Sequence, residues 1–202
     1  MNLRHNATLK RFCVLLTAIF LCVVTCFLFT ACNTSKYLET VDGTYLIGYG
    51  NYAGRDKGNA YVGALTYDGE NKEFIIPDEY KGRKITALGG YHGTGLPCPF
   101  GIDIVSALVE EYTCYVKIVA DDDSNAKHVP IDFTVRLGRN VSELVNVRGK
   151  EYCQVTDSDA KTVLIYAVYH FEVDEDNPVF YSDGGKLYYR KDGSLVDEFL
   201  YE

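Results

Sequence analysis

FEVDEDNPVFYSDGGKLYYRKDGSLV, Phe171 to Val196, breaks strand-forming aromatics at regular intervals with Asp-Asn-Pro, Ser-Asp-Gly-Gly and Lys-Asp-Gly-Ser. Glycine and Asn/Asp supply the positive φ angles of tight turns, and Pro178 fixes φ and cannot donate to a sheet. The stretch reads as strand, turn, strand, turn, strand. Asp192-Gly193 suits a type I′ turn joining Lys186–Arg190 to Leu195–Tyr201. As the last module of a stacked sheet, it should aim Phe171 and Val173 into the core. Leu187 and Leu195 should pack nearby, with Asp192 and Gly193 in solvent.

Working outward, the same grammar fills the chain. Thr44–Tyr49 is a short apolar strand. Ala60–Tyr67 and Glu73–Ile76 flank Asp68-Gly69-Glu70-Asn71, a hairpin signature. Lys84–Leu88 is a further strand, and the glycines and prolines from Gly89 to Pro99 predict an irregular stretch. Ile131, Phe133, Val135 and Leu137 alternate with Asp132, Thr134 and Arg136, the period of a half-buried strand. Tyr115–Val119 is its expected partner across the polar loop Asp121–Lys127. Val163–Val173 is apolar on both faces until His170 and Glu172, as a central strand should be. The helix candidate starts at Asp103, a fitting N-cap, with Ile104, Val105, Leu108, Val109 and Tyr112 on one face. The expected class is mainly β with one or two short helices.

The N-terminus speaks to compartment. Arg4, Lys10 and Arg11 precede an uncharged apolar run from Phe12 to Ala31, the layout of a secretory signal. The run is also long enough for an uncleaved signal anchor, and a soluble secreted chain is the third reading. Its end, Leu-Phe-Thr-Ala-Cys, resembles the lipobox of bacterial lipoproteins, which implies acylation of Cys32. Phe29 stands where that pattern prefers the leucine found at Leu28. The expected organisation is a signal over 1–31, a lipid-anchored tether over 32–41 and one β domain over 42–202. The full chain carries −8; without the three bases of the signal, 17 basic residues face 28 acidic ones, a net −11. Such a charge repels phosphate backbones, so no nucleic-acid partner is expected.

Four of the seven cysteines fall at or before Cys32, leaving Cys98, Cys114 and Cys153. At most one disulfide can form among these three, and free buried thiols are the alternative. Their spacing offers no metal site. Asp121, Asp123 and Asn125 have the first spacings of a calcium loop, with Asp132 at position twelve, but Ala126 replaces the turn glycine. A solvated hairpin tip is the reading adopted there, and a turn at Asp174–Asn177. Cys153 with His170, or Cys98 with His92, would form a thiolate–imidazole pair only if the fold joined them. No flanking signature supports either, so no catalytic residue and no cofactor are assigned. Seventeen tyrosines without a tryptophan suit a recognition face, although half-exposed strands use tyrosine anyway.

Three segments echo one unit: FIIPDEYKGRKITALGG (Phe74–Gly90), FTVRLGRNVSEL (Phe133–Leu144) and the opening stretch. The first resembles the entry segment of BspA-like leucine-rich-repeat proteins of bacterial surfaces at Tyr80, Gly82, Ile85, Thr86, Leu88 and Gly89. The last is similar to that family's Asp-x-x-Asn-Pro turn and hairpin at Asp174, Asn177, Pro178, Asp183, Gly184, Leu187, Tyr188, Asp192 and Gly193, with Gly185 as an extra residue. Tyr91-His92-Gly93 replaces the family's Ala-Phe pair. The resemblance implies a short, irregular leucine-rich-repeat-like solenoid with hairpin insertions, because one such module cannot bury its own apolar face. It also implies adhesion: a lipid-anchored module recognising a protein or glycan on a host or envelope surface. A structural envelope protein without a separate ligand is the alternative, and a secreted hydrolase with an unrecognised site is a third.

Overall fold

A computed structural model describes residues 38–49, 58–91, 97–105, 107–108, 117–119, 126–156 and 161–201. These lie within the unit Tyr37–Glu202. The chain is mainly β. The first strands are β1 (Leu38–Val41), β2 (Tyr45–Tyr49), β3 (Ala60–Thr66), β4 (Glu73–Ile75), β5 (Glu79–Tyr80) and β6 (Arg83–Leu88). Short pieces follow: β7 (Gly90–Tyr91), β8 (Pro97–Cys98), β9 (Ile102–Asp103) and β10 (Lys117–Val119). The rest are β11 (Lys127–Leu137), β12 (Glu143–Leu144), β13 (Tyr152–Thr156), β14 (Thr162–Val173), β15 (Phe180–Asp183) and β16 (Lys186–Tyr189).

Two sheets hold most of them. The first runs β1-β2-β3-β6-β12, with β5 and β9 attached at its margins, and the second runs β10-β13-β14-β11-β4. In the first, β3, β6 and β12 are mutually parallel neighbours; in the second, β4, β11 and β14 are. Along the sequence these six alternate between sheets, and each return to a sheet lands beside the previous visit. Parallel neighbours cannot be joined by a tight turn. Here the connection between them passes through the opposite sheet. One hydrophobic core serves both sheets: Ile47, Val62, Ile85 and Leu88 come from the first, Phe74, Phe133, Val135, Ile165 and Phe171 from the second.

The alternation read in Phe133–Leu137 holds, with Phe133, Val135 and Leu137 buried and Arg136 exposed. The strand Val163–Val173 is central, between β13 and β11, and buried on both faces. Asp103 does start a helical turn: its Oδ1 accepts the Val105 N–H at 3.0 Å, and the Leu108 N–H reaches the Ile104 carbonyl at 3.1 Å. Val109 and Tyr112 lie outside the described residues.

Four pairing expectations are corrected. Ala60–Tyr67 and Glu73–Ile76 do not form a hairpin, since β3 and β4 belong to different sheets. The Asp68 carboxylate does make a turn, accepting N–H groups of Glu70 and Asn71, but that turn carries the chain across the core. The segment ending at Val119 pairs with β13 rather than with β11, both of whose edges are filled by parallel strands. Leu38–Val41, expected to belong to the tether, is a strand paired with β2. Lastly, the three echoes align two residues differently, because Val135, not Phe133, sits between Phe74 and Phe171.

In the opening stretch the two-residue turn with positive φ at both positions is Gly184-Gly185 (φ 54° and 79°), joining β15 to β16. At Asp192-Gly193 only the glycine has positive φ, and the Tyr189 N–H bonds the Ser194 carbonyl around a four-residue loop. That longer loop resets the register of the residues beyond it. Leu195, expected in the core, is 41% exposed, and Val196 is fully buried in its place. Phe171 and Leu187 are buried and Val173 is partly buried, as the sequence predicts. The expected third strand reduces to two isolated bridges, Tyr188–Leu195 to the hairpin and Gly149–Phe199 elsewhere.

Candidate functional site

Cys32 and the run Phe12–Ala31 lie outside the described residues, as do His92, Cys114 and the loop residues Asp121, Asp123 and Asn125. Among the described residues no helix is long and apolar enough to cross a membrane. Cys98 and Cys153 are free and buried, so these two do not form a disulfide with each other. Burial, followed by the nearby Asp103 and Glu151 carboxylates, pushes the Cys153 thiol up to about 11. Burial also raises Cys98, outweighing the pull of the Tyr61 hydroxyl and of Arg148. Both thiols are therefore protonated at neutral pH and poor nucleophiles.

The fold separates Cys153 from His170. Cys153 faces the core opposite Ile165, whereas His170 lies on the other face of β14. There its Nε2 sits 3.5 Å from Asp132 Oδ1. Among the described residues no three His, Cys, Asp or Glu side chains are grouped to hold a metal ion. Asp174–Asn177 forms the expected turn, in which the Asp174 carboxylate and carbonyl accept the Asp176 and Asn177 N–H groups. Asn177, 1% exposed, donates its amide to the carbonyls of Gly138 and Val141 and accepts from the Val179 and Phe180 N–H groups. It ties this turn to the one after β11.

Among the described residues, three features present chemistry to solvent or to a cavity. On the C-terminal hairpin, Phe180 and Leu187 face inward, so Tyr181 and Tyr188 share the outer face. Their rings stack with centroids 5.2 Å apart, Arg190 lies 5.8 Å from the Tyr181 ring, and exposed Leu195 continues the row. Arg190 is held there by donating to the carbonyls of Asn177, Phe180 and Glu175.

A second group centres on Glu39, whose carboxylate accepts from Tyr49 (2.8 Å), Tyr80 (2.5 Å) and Lys81 (2.6 Å). Those donors, Lys81 foremost, hold its carboxyl at about 2, below the ordinary 4.5.

The third is a cleft of about 470 Å³ whose polar and thiol lining is Cys98, Asp103, Arg148, Glu151, Cys153 and Tyr169. Sequence reasoning missed the second and third groups. Val41-Asp42-Gly43-Thr44 is a turn signal that would have revealed β1 and so Glu39. No local signal unites the cleft, which long-range bridges assemble. Comparison with protein families, curated proteins and solved structures gives no match.

Proposed function

We propose that this protein is a lipid-anchored bacterial cell-surface module, acylated at Cys32 and facing outward, that binds a protein or glycan partner. The observation that carries this reading is the row Tyr181, Tyr188 and Leu195 on the outer face of the terminal hairpin. Aromatic groups that are anchored by strands yet open to solvent are favoured at recognition surfaces, since little side-chain entropy is lost on binding. We further read the core as a degenerate BspA-like leucine-rich-repeat coil. The alternation of β3, β4, β6, β11, β12 and β14 between two sheets supports that reading, as does the asparagine stacked between successive turns.

The test is a pull-down from host-matrix and envelope extracts with the wild type and with Tyr181→Ser/Tyr188→Ser. The reading expects one partner enriched by the wild type and lost by the variant, with both melting alike. Enrichment of nothing from either extract would favour a scaffold role in the envelope.

A further inference from the structure

The cleft beside Cys153 has the attributes of a small-molecule site independent of the hairpin surface. Its volume lies within the range of ligand pockets, roughly 300–1,000 Å³. Its wall is fixed from both sides. Leu65 and Tyr67 donate to the carbonyls of Gly101 and Asp103, while Phe100 donates to Asn146 and accepts from Arg148. The cavity is therefore preformed rather than made by closure.

Its polar groups are few and unbalanced. Tyr169 is 1% exposed; its oxygen accepts the Ile102 N–H at 3.2 Å, and among the described residues nothing accepts its proton. A buried hydroxyl with an unspent donor seeks an acceptor. Two carboxylates, Asp103 and Glu151, line the cleft against one guanidinium, Arg148, whose Nε stands 3.6 Å from Glu151 Oε1. One Asp103 oxygen is used by the Val105 N–H; the excess charge remains negative. Leu46, Ile102 and Ala167 supply apolar walls.

We propose that this cleft binds a small molecule carrying an ammonium group and a hydrogen-bond acceptor on an apolar body. Free apolar amino acids and the N-terminal ends of short peptides share this chemistry. The ammonium sits by Asp103 and Glu151, the acceptor receives a hydrogen bond from the Tyr169 hydroxyl, and the side chain fills the apolar end.

The experiment titrates the full chain, reconstituted in lipid nanodiscs, with leucine, dileucine and N-acetyl-dileucine amide, reading saturation-transfer NMR. Saturable binding of leucine or dileucine is expected, at least tenfold tighter than that of the acetylated compound. Preference between the first two distinguishes a free amino acid from a peptide end. Asp103→Asn/Glu151→Gln, which keeps a capping side chain at 103, should weaken the preferred ligand at least tenfold. Equal binding of the acetylated compound, or no saturable binding of any of the three, overturns the proposal. The wild-type comparison decides even if the double variant fails to fold.

Discussion

Asn177 shows how much one side chain can carry. Its amide serves four backbone groups on two turns, and it is 1% exposed. Asn177→Ala would leave those groups without partners, each costing about 1–3 kcal/mol where water cannot replace the bond. We expect a loss of at least ~3 kcal/mol in urea melts, comparable with the ~3–5 kcal/mol expected for Phe171→Ala. Asp192→Ala, in an exposed loop, should fall within about 0.5 kcal/mol. Glu39 gives a pH signature of defined sign. A carboxyl depressed on folding contributes stability above its ordinary value, and that contribution fades as pH falls from 4.5 towards about 2. The melting difference between wild type and Glu39→Gln should be constant above pH 5 and shrink over that window. A difference that persists unchanged at pH 2 would rule out this origin. At this scale the sequence was partly legible. Asn177 announced itself through Asp-x-x-Asn-Pro, whereas the exchange of Leu195 for Val196 arose from a loop length that composition does not encode.

Elements were easier to locate than to pair. Apolar patterning marks where strands lie and, in β11, which face is buried, so β2, β6, β11 and β14 can be read directly. It says nothing of the neighbour, which is why the turn signal between β3 and β4 points to a hairpin that does not form, and closeness in the chain points to the wrong partner for β10. Turn chemistry has the same limit: Asp192-Gly193 suits a type I′ turn, yet Gly184-Gly185 takes that role. Each of these glycines has a left-handed φ, which costs a residue with a Cβ roughly 1–2 kcal/mol. Gly185→Ala should cost more than Gly184→Ala, since its Cβ would lie 3.1 Å from His170 Nδ1 while the other meets open space. Calorimetric melts of the two variants check the order. β4 illustrates a quieter device. It is paired on one side only, and on the other the Asn71 side-chain oxygen and the Tyr45 hydroxyl accept the outward N–H groups of Glu73 and Ile75. Occupied donors discourage pairing with another chain. Tyr45→Phe with Asn71→Ala should therefore raise self-association in sedimentation at fixed concentration, and an unchanged monomer fraction would show that the edge is protected otherwise.

For the whole molecule, the proposed anchor and the fold belong to different parts of the chain. The basic and apolar N-terminus speaks to compartment independently of any strand, and Cys32 carries that inference. Cys32→Ala should abolish lipoprotein-type processing and acylation, seen as loss of lipid label and retention of the longer species. The same full-length, detergent-partitioning species from both wild type and variant would point instead to an uncleaved anchor. The β architecture was legible as a class, but the pattern of sheet visits was not, because it is fixed by contacts far apart in sequence. The extreme case is Phe199. It is buried among Phe100, Tyr169 and Phe171, and its backbone bridges Gly149. The centre of the core is thus supplied by a residue far along the chain from Phe100 and Gly149. A chain emerging from the ribosome or a translocation channel cannot complete this interior until Phe199 is out. The earlier strands must wait until then, with the Phe199 site empty.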